Sequence, residues 1–445
     1  MGHRTRPLTW LPSPVLLCKH ISVPAEPSDG PAAAAGPATG RALQLFKAWF
    51  WLPPRPHGQT ILDRRVSPLE LLYDLAYITV IGQAANHLAA HVSASGLYEF
   101  AVVFSLTWIA WANGSLYLEL HGQPDGRTRM YIFLQIGILA VLAVYAADAG
   151  SGGGGFSFAY TSFLVVMTWL WYEVRLEDAR VRPEFLADTG RYVVAMVGSV
   201  VVMLGSAFLP GDLRLLVWAI FSAAWVFLLL FFGRSPVGLG RGMTPTDSLV
   251  ERFATLTIIV LGEVVFGVVD GLSQSTHDLT TISTGMVALA VGFGFWWIYF
   301  DVVGGKLPKP DGRALASWML SHYPITLSIA AAGAGMVSLL EHAHADRTPA
   351  ATSWLLSGAV AVGLVFLVPT WRALADASRL TSVGRPLWIA TLAGAGASVI
   401  IGWARPAPWL LALLLVVVLG LVWAAAMRGF ALAGTWGPGR PQAEH

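Results

Sequence analysis

What most restricts this chain is a series of uninterrupted apolar segments, each about twenty residues long, that fill it from residue 68 to residue 430. As a helix, such a run covers the roughly 30 Å of hydrocarbon in a bilayer at 1.5 Å per residue. Backbone N–H and C=O groups in lipid must be bonded within the spanning structure, which leaves helices or closed barrels. Barrel strands are about ten residues long and alternate apolar with polar positions, and these runs do neither. Only 12% of the residues are charged and 55% are hydrophobic, where soluble domains carry about a quarter charged residues. The sequence predicts an all-α, polytopic transmembrane bundle of about twelve spanning helices. They fall at roughly 68–90, 97–120, 130–149, 156–173, 191–209, 213–233, 252–271, 281–301, 322–340, 353–371, 386–404 and 408–430.

The spans divide the chain into an N-terminal tail (1–63), a transmembrane domain (64–430, with halves 68–233 and 252–430) and a C-terminal tail (431–445). Residues 1–40 are rich in Pro, Ala and Gly and are expected to hold no core. The run Leu8–Leu17 is broken by Pro12 and Pro14 and lacks a convincing cleavage site, so no signal peptide is expected. Residues 41–52 place Leu43, Phe46 and Phe50 at helical spacing. They read as a short helix lying in the membrane surface or as an apolar linker packed on the protein. The charge balance of 28 basic and 26 acidic residues gives no reason to expect nucleic acid as a partner. Cys18 is the single cysteine, which excludes an intrachain disulfide and a Cys-rich metal site.

Orientation follows from the arginines and lysines, which favour the cytoplasmic side. With the N-terminus inside and twelve spans, only Arg214, Arg347 and Arg405 of the 28 basic residues fall on outer segments. The expectation is a multi-pass plasma-membrane protein with both termini cytoplasmic. A wrong helix count in mid-chain would scramble the alternation, so the bias supports the number as well.

The halves resemble each other. The first span reads SPLELLYDLAYITVIGQ and the seventh SLVERFATLTIIVLGE, with Glu70 and Glu251 near the inner end and the pairs Gly82-Gln83 and Gly262-Glu263 deeper in. Trp108 and Trp111 of the second span match Trp296, Trp297 and Tyr299 of the eighth, and Tyr131 matches Tyr323. These offsets suggest two parallel six-helix repeats; chance likeness between apolar segments is the competing explanation.

Ionisable groups within a span are costly and mark functional sites by default. Glu263 lies about eleven residues into the seventh span, near the midplane. Arg252, Glu263 and Asp270 fall within about 20° of one another at 100° per residue, a polar stripe along one face. Glu263 reads as a carboxyl that binds or relays a proton or cation, or as a protonated group bonded to a neighbouring helix. In the first span Glu70 and Asp74 share a face near the inner end, while Gln83, Asn86 and His87 cluster on roughly the opposite face. Either Gly82 breaks that helix or the two faces meet different neighbours; the inner pair can equally anchor to Arg64, Arg65 or Arg252. Asp301 and His322 add polar positions. On the outer side, His87 and His91 have zinc-compatible i,i+4 spacing, with His277, His342 and His344 elsewhere, although solvated helix ends explain them as well. The tryptophans, 19 in all, read as interfacial belts and helix packing. No HExxH, GxSxG, P-loop or paired-Cys motif is present, and no cofactor is expected.

The stretches RRVSPLELLYDLAYITVIGQ (64–83), SLVERFATLTIIVLGE (248–263), FWWIYFD (295–301) and SHYPITLSIAAAG (321–333) resemble the bacterial low temperature requirement A (LtrA) membrane-protein family, in order and spacing, over about 64–430. The resemblance implies that Glu70, Asp74, Glu251, Arg252, Glu263, Trp297 and Asp301 stand at positions where the family pattern is polar or aromatic. The chain departs from it at Ser248, where the pattern has His, and at Tyr73, where it has Phe. The family name refers to growth in the cold and implies no reaction.

Three function classes remain. A transporter or channel for protons, cations or a small solute fits the midplane Glu263. A structural or envelope-support protein needs no such group. A membrane-embedded enzyme would need converging nucleophiles or a metal set. The expected partners are the lipid bilayer and the transported species, with a homo-oligomer open.

Overall fold

Polar residues placed just ahead of apolar runs start the helices of this protein. In the computed structural model the side chains of Ser67, Ser93, Asp125, Thr246, Asp278 and Asp311 each accept a bond from a backbone N–H three residues on. Such caps satisfy donors that the first helical turn leaves free. The structure describes residues 46, 49–59, 61, 64–150, 153–234, 245–378 and 380–434. Most of the expected N-terminal tail, the 41–52 surface helix, the 235–244 connection and residues 435–445 lie outside the described residues.

Twelve long helices follow: α1 (Pro68–Ala90), α2 (Ala94–His121), α3 (Gly126–Val144), α4 (Gly155–Val181), α5 (Leu186–Ser206), α6 (Gly211–Arg234), α7 (Asp247–Gln274), α8 (Leu279–Val302), α9 (Gly312–Glu341), α10 (Ala350–Ala373), α11 (Thr381–Ala404) and α12 (Pro408–Leu432). No strand occurs among the described residues, apart from an isolated bridge between Pro308 and Leu374. Ten of the helices are long and apolar enough to cross a membrane. The other two, α1 and α4, have 23 and 27 residues and are long enough, but carry more polar groups.

Two boundaries differ from expectation for physical reasons. α9 begins at Gly312, ten residues before the expected start near 322, and runs through Pro324. Asp311 caps this extra stretch, and Leu315, Trp318 and Met319 bury its face, which outweighs the one backbone bond that a proline removes. α4 continues two turns past the expected end, to Val181, and carries Asp178 into a buried pairing with His57. The tryptophans Trp108, Trp111, Trp171, Trp218 and Trp318 are almost fully buried, so these five serve helix packing and not an interfacial belt.

Each half uses the same neighbour pattern. Its first helix packs on its second and third, the third on the fourth, the fourth on the fifth, the fifth on the sixth, and the sixth on the second. That is the arrangement a repeat predicts. Burial breaks the equivalence: the central windows of α2 and α9 are both 89% buried, although α2 matches α8 and α9 matches α3. α9 reaches across to α1, α2 and α6. Its run Ala330–Gly335 presents almost no side chain, and small residues let helix backbones approach closely.

Candidate functional site

The polar stripe of α7 faces α1 along its whole length. Near their N-terminal ends the two helices are joined by a buried ion-pair clasp. Arg252 is fully buried; its Nη2 donates to Asp74 Oδ1 at 2.6 Å, and its Nη1 lies 3.6 Å from Glu70 Oε2. Trp111 Nε1 donates to the same Asp74 oxygen at 2.9 Å. Arg64, just ahead of α1, bridges Glu70 and Glu119 at 2.7 Å each. The Thr246 hydroxyl donates to Glu119 at 2.7 Å, and Ser248 Oγ lies 2.7 Å and 2.8 Å from its two carboxylate oxygens. Arg55 donates to the carbonyls of Leu118, Glu119 and Gly122, closing the end of α2; burial, and then the nearby Arg64, pull its pKa below the ordinary arginine value. Two guanidinium groups thus meet three carboxylates, with Arg55 on the backbone carbonyls beside them. Buried charges persist only when paired in this way.

Further along, the same two helices part to form a groove of about 780 Å³. α1 contributes Thr79, Gln83 and Asn86, and α7 contributes Glu263, Asp270 and Ser273. Glu263 is 6% exposed. Its carboxylate lies against Gly82: a Cβ there would stand 3.2 Å from Glu263 Oε1. No hydrogen bond or ion pair of the described residues involves Glu263. Its backbone is pinned from the other side, since a Cβ on Gly333 would come within 2.6 Å of the Glu263 carbonyl oxygen. A 16 Å stretch of α7 at 1.5 Å per residue separates Glu263 from Arg252, and buried Leu256, Thr257 and Val260 fill it.

The sequence pattern of the bacterial low temperature requirement A protein (LtrA) family matches residues 65–423. The chain belongs to the LtrA family. No curated protein and no solved structure matches it. With its apolar helices, this LtrA-family chain is a multi-pass membrane protein.

The two polar faces of α1 in this LtrA protein serve different features beside α7, and α1 runs unbroken through Gly82. Glu70 and Asp74 join the clasp; Gln83 and Asn86 line the groove. Of the other residues singled out in the sequence, Asp270 lines the groove, whereas Glu251 is exposed outside it. Asp301 accepts from Trp423 Nε1 at 2.7 Å on the far side of α8, and Trp297, half exposed, lies beside the same Trp423. His322 is buried behind α7, with Nε2 2.9 Å from the Tyr299 hydroxyl and Nδ1 on the Trp318 carbonyl. The rings of His87 and His91 stand 5.0 Å apart, with Glu99 3.5 Å from His87; no group of three or more potential metal ligands gathers among the described residues. His344 pairs with Asp278 at 2.7 Å. Bonds from the Thr281 N–H and the Thr276 hydroxyl hold the Asp278 carboxyl well below the usual carboxylate range.

Sequence reasoning missed several partners. Glu119 stands at the end of a span, where charges reach water cheaply; its only signal is a second polar residue, His121, two positions on. Ser248, where the family pattern has His, takes a donor's place beside Glu119. Tyr73, where the pattern has Phe, sends its hydroxyl to Gln135 and accepts from Tyr77 at 2.6 Å. A second polar cluster ties the segment before α1 to the bundle: His57 meets Asp178 through both its backbone N–H and its ring, at 3.1 and 2.8 Å, and Thr189 donates to the same carboxylate.

Proposed function

We propose that this LtrA-family protein moves protons, cations or a small solute across the plasma membrane, with Glu263 as the charge-binding group in the α1–α7 groove. The observation that carries the reading is a carboxyl buried within a membrane helix that faces a groove and has no partner among the described residues. Interhelical glue would need a partner, and a buried polar group without one is costly unless it meets something else. In this reading both termini are cytoplasmic, as the arginine bias implies. The clasp then closes the cytoplasmic end, and the groove opens toward the outside. Passage requires Arg252 to release Asp74, so the clasp is the inner gate and the groove the outer vestibule.

The test is flux in proteoliposomes loaded with a pH-sensitive dye and, in parallel, with cation-selective dyes. Glu263→Gln keeps size and hydrogen-bonding capacity while removing the titratable charge, and is expected to cut flux at least about tenfold with normal folding. Full flux in that variant would overturn the reading.

A further inference from the structure

We propose that the α1–α7 groove binds a small organic ammonium ion, an aliphatic primary amine of a few carbons, with its charged head on Glu263. This rests on the reading of the groove as the transport site and narrows its substrate. The groove walls carry two carboxylates, Glu263 and Asp270, and no Lys, Arg or His, so their field favours a cation. The second, independent observation is Glu263 itself: 6% exposed, lining the groove and without a partner among the described residues.

Size and ligand chemistry separate the candidate cations. A dehydrated metal ion of the calcium type demands six or more oxygen ligands at about 2.3–2.6 Å. Beside Glu263 the wall is Gly82, which projects no side chain, and no group of three or more potential metal ligands gathers among the described residues, so such a shell is not built there. A proton would leave the volume and the carboxamides without a role. About 780 Å³ is the size of a site for a small organic molecule. An alkylammonium head has three N–H donors. They match the Glu263 carboxylate and the acceptor oxygens that Thr79 and Gln83 add to the same walls. The alkyl part fits the apolar remainder of the groove, where Val144, Phe266 and Val269 lie. The missing side chain at Gly82 is what leaves room for the Glu263 carboxylate that takes the head.

The experiment uses the full chain in nanodiscs, titrated with n-butylammonium and with 1-butanol as the uncharged control of equal length, and read by thermal shift and calorimetry. Butylammonium is expected to bind saturably and butanol not. Binding should weaken by about tenfold or more in Glu263→Gln and vanish in Gly82→Val, whose side chain presses on the Glu263 carboxylate and displaces it from its place without removing its charge. Gly358→Ala on α10, whose new methyl group meets open space away from the groove, should bind as the native chain does. Equal responses to butylammonium and butanol, or equal binding in the native chain, Glu263→Gln and Gly82→Val, would overturn the proposal. Should Glu263→Gln misfold, the Gly82→Val result decides. If Glu263-dependent proton flux persists while butylammonium neither binds nor competes, the amine falls and the transport reading stands. If flux is also indifferent to Glu263→Gln, both fall.

Discussion

Arg252 and Glu263 share one face of α7, eleven residues apart, and their surroundings make opposite demands. Arg252 is paired with two carboxylates, and removing one member of such a buried pair leaves an uncompensated charge, at a cost of about 3–5 kcal/mol. Asp74→Asn and Arg252→Gln are each expected to lower stability by that order. The double variant should lose clearly less than the sum, which a double-mutant cycle of unfolding in detergent measures; strict additivity would mean that the pair is not coupled. Lys306 offers a pH-dependent counterpart outside the spans. Its Nζ donates to the carbonyls of Asp301 and Val302 at 2.7 Å and lies 4.8 Å above the Phe430 ring. Burial pushes its pKa down to about 8. The unfolded chain then holds more protons than the folded one between about 8 and the ordinary lysine value, so stability rises with pH through that window. Melting curves from pH 7 to pH 10 should show the native chain gaining on the order of 2 kcal/mol over Lys306→Met. Parallel curves would contradict this.

At the scale of elements, α7 is held between two helices by glycines that do different work. Toward α9, Gly267 meets the Gly333 carbonyl and Gly333 meets the Glu263 backbone, with no room for a Cβ on either. Toward α1, Gly82 leaves space for a carboxylate. Gly262, its equivalent in the repeat, has only the Phe266 ring at 4.0 Å. Gly333→Ala is therefore expected to force the helices apart and to cost about 1–3 kcal/mol. Gly262→Ala should be neutral or stabilising by up to about 1 kcal/mol, from helix propensity. Thermal unfolding of the two variants side by side checks the contrast. A tolerated Gly333→Ala would show that the seam has slack.

For the whole molecule, the twelve-helix topology makes a direct prediction. In a chain with Cys18 replaced by Ser, single cysteines at positions 153, 275 and 347 should react with an impermeant maleimide in intact cells, and one at 240 should not; external labelling at 240 would refute the orientation. By itself the sequence determined the helical class, the number of long helices and the face of α7 that carries its charges. Apolar run length sets the span, and 100° per residue sets the phase whatever the neighbours are. It also narrowed the partners of Glu70 and Asp74 to three arginines, of which Arg64 and Arg252 are used. Tertiary structure alone decided who meets whom. Arg252 finds Asp74 across 178 residues, and Thr246 finds Glu119 across 127. α9 is largely buried, although α3, which the sequence likeness pairs with it, is not. Helical phase states which way a side chain points but not which helix stands there. That choice rests on close packing of small residues between elements far apart in the chain, and it separates the clasp from the groove on two faces of one unbroken helix.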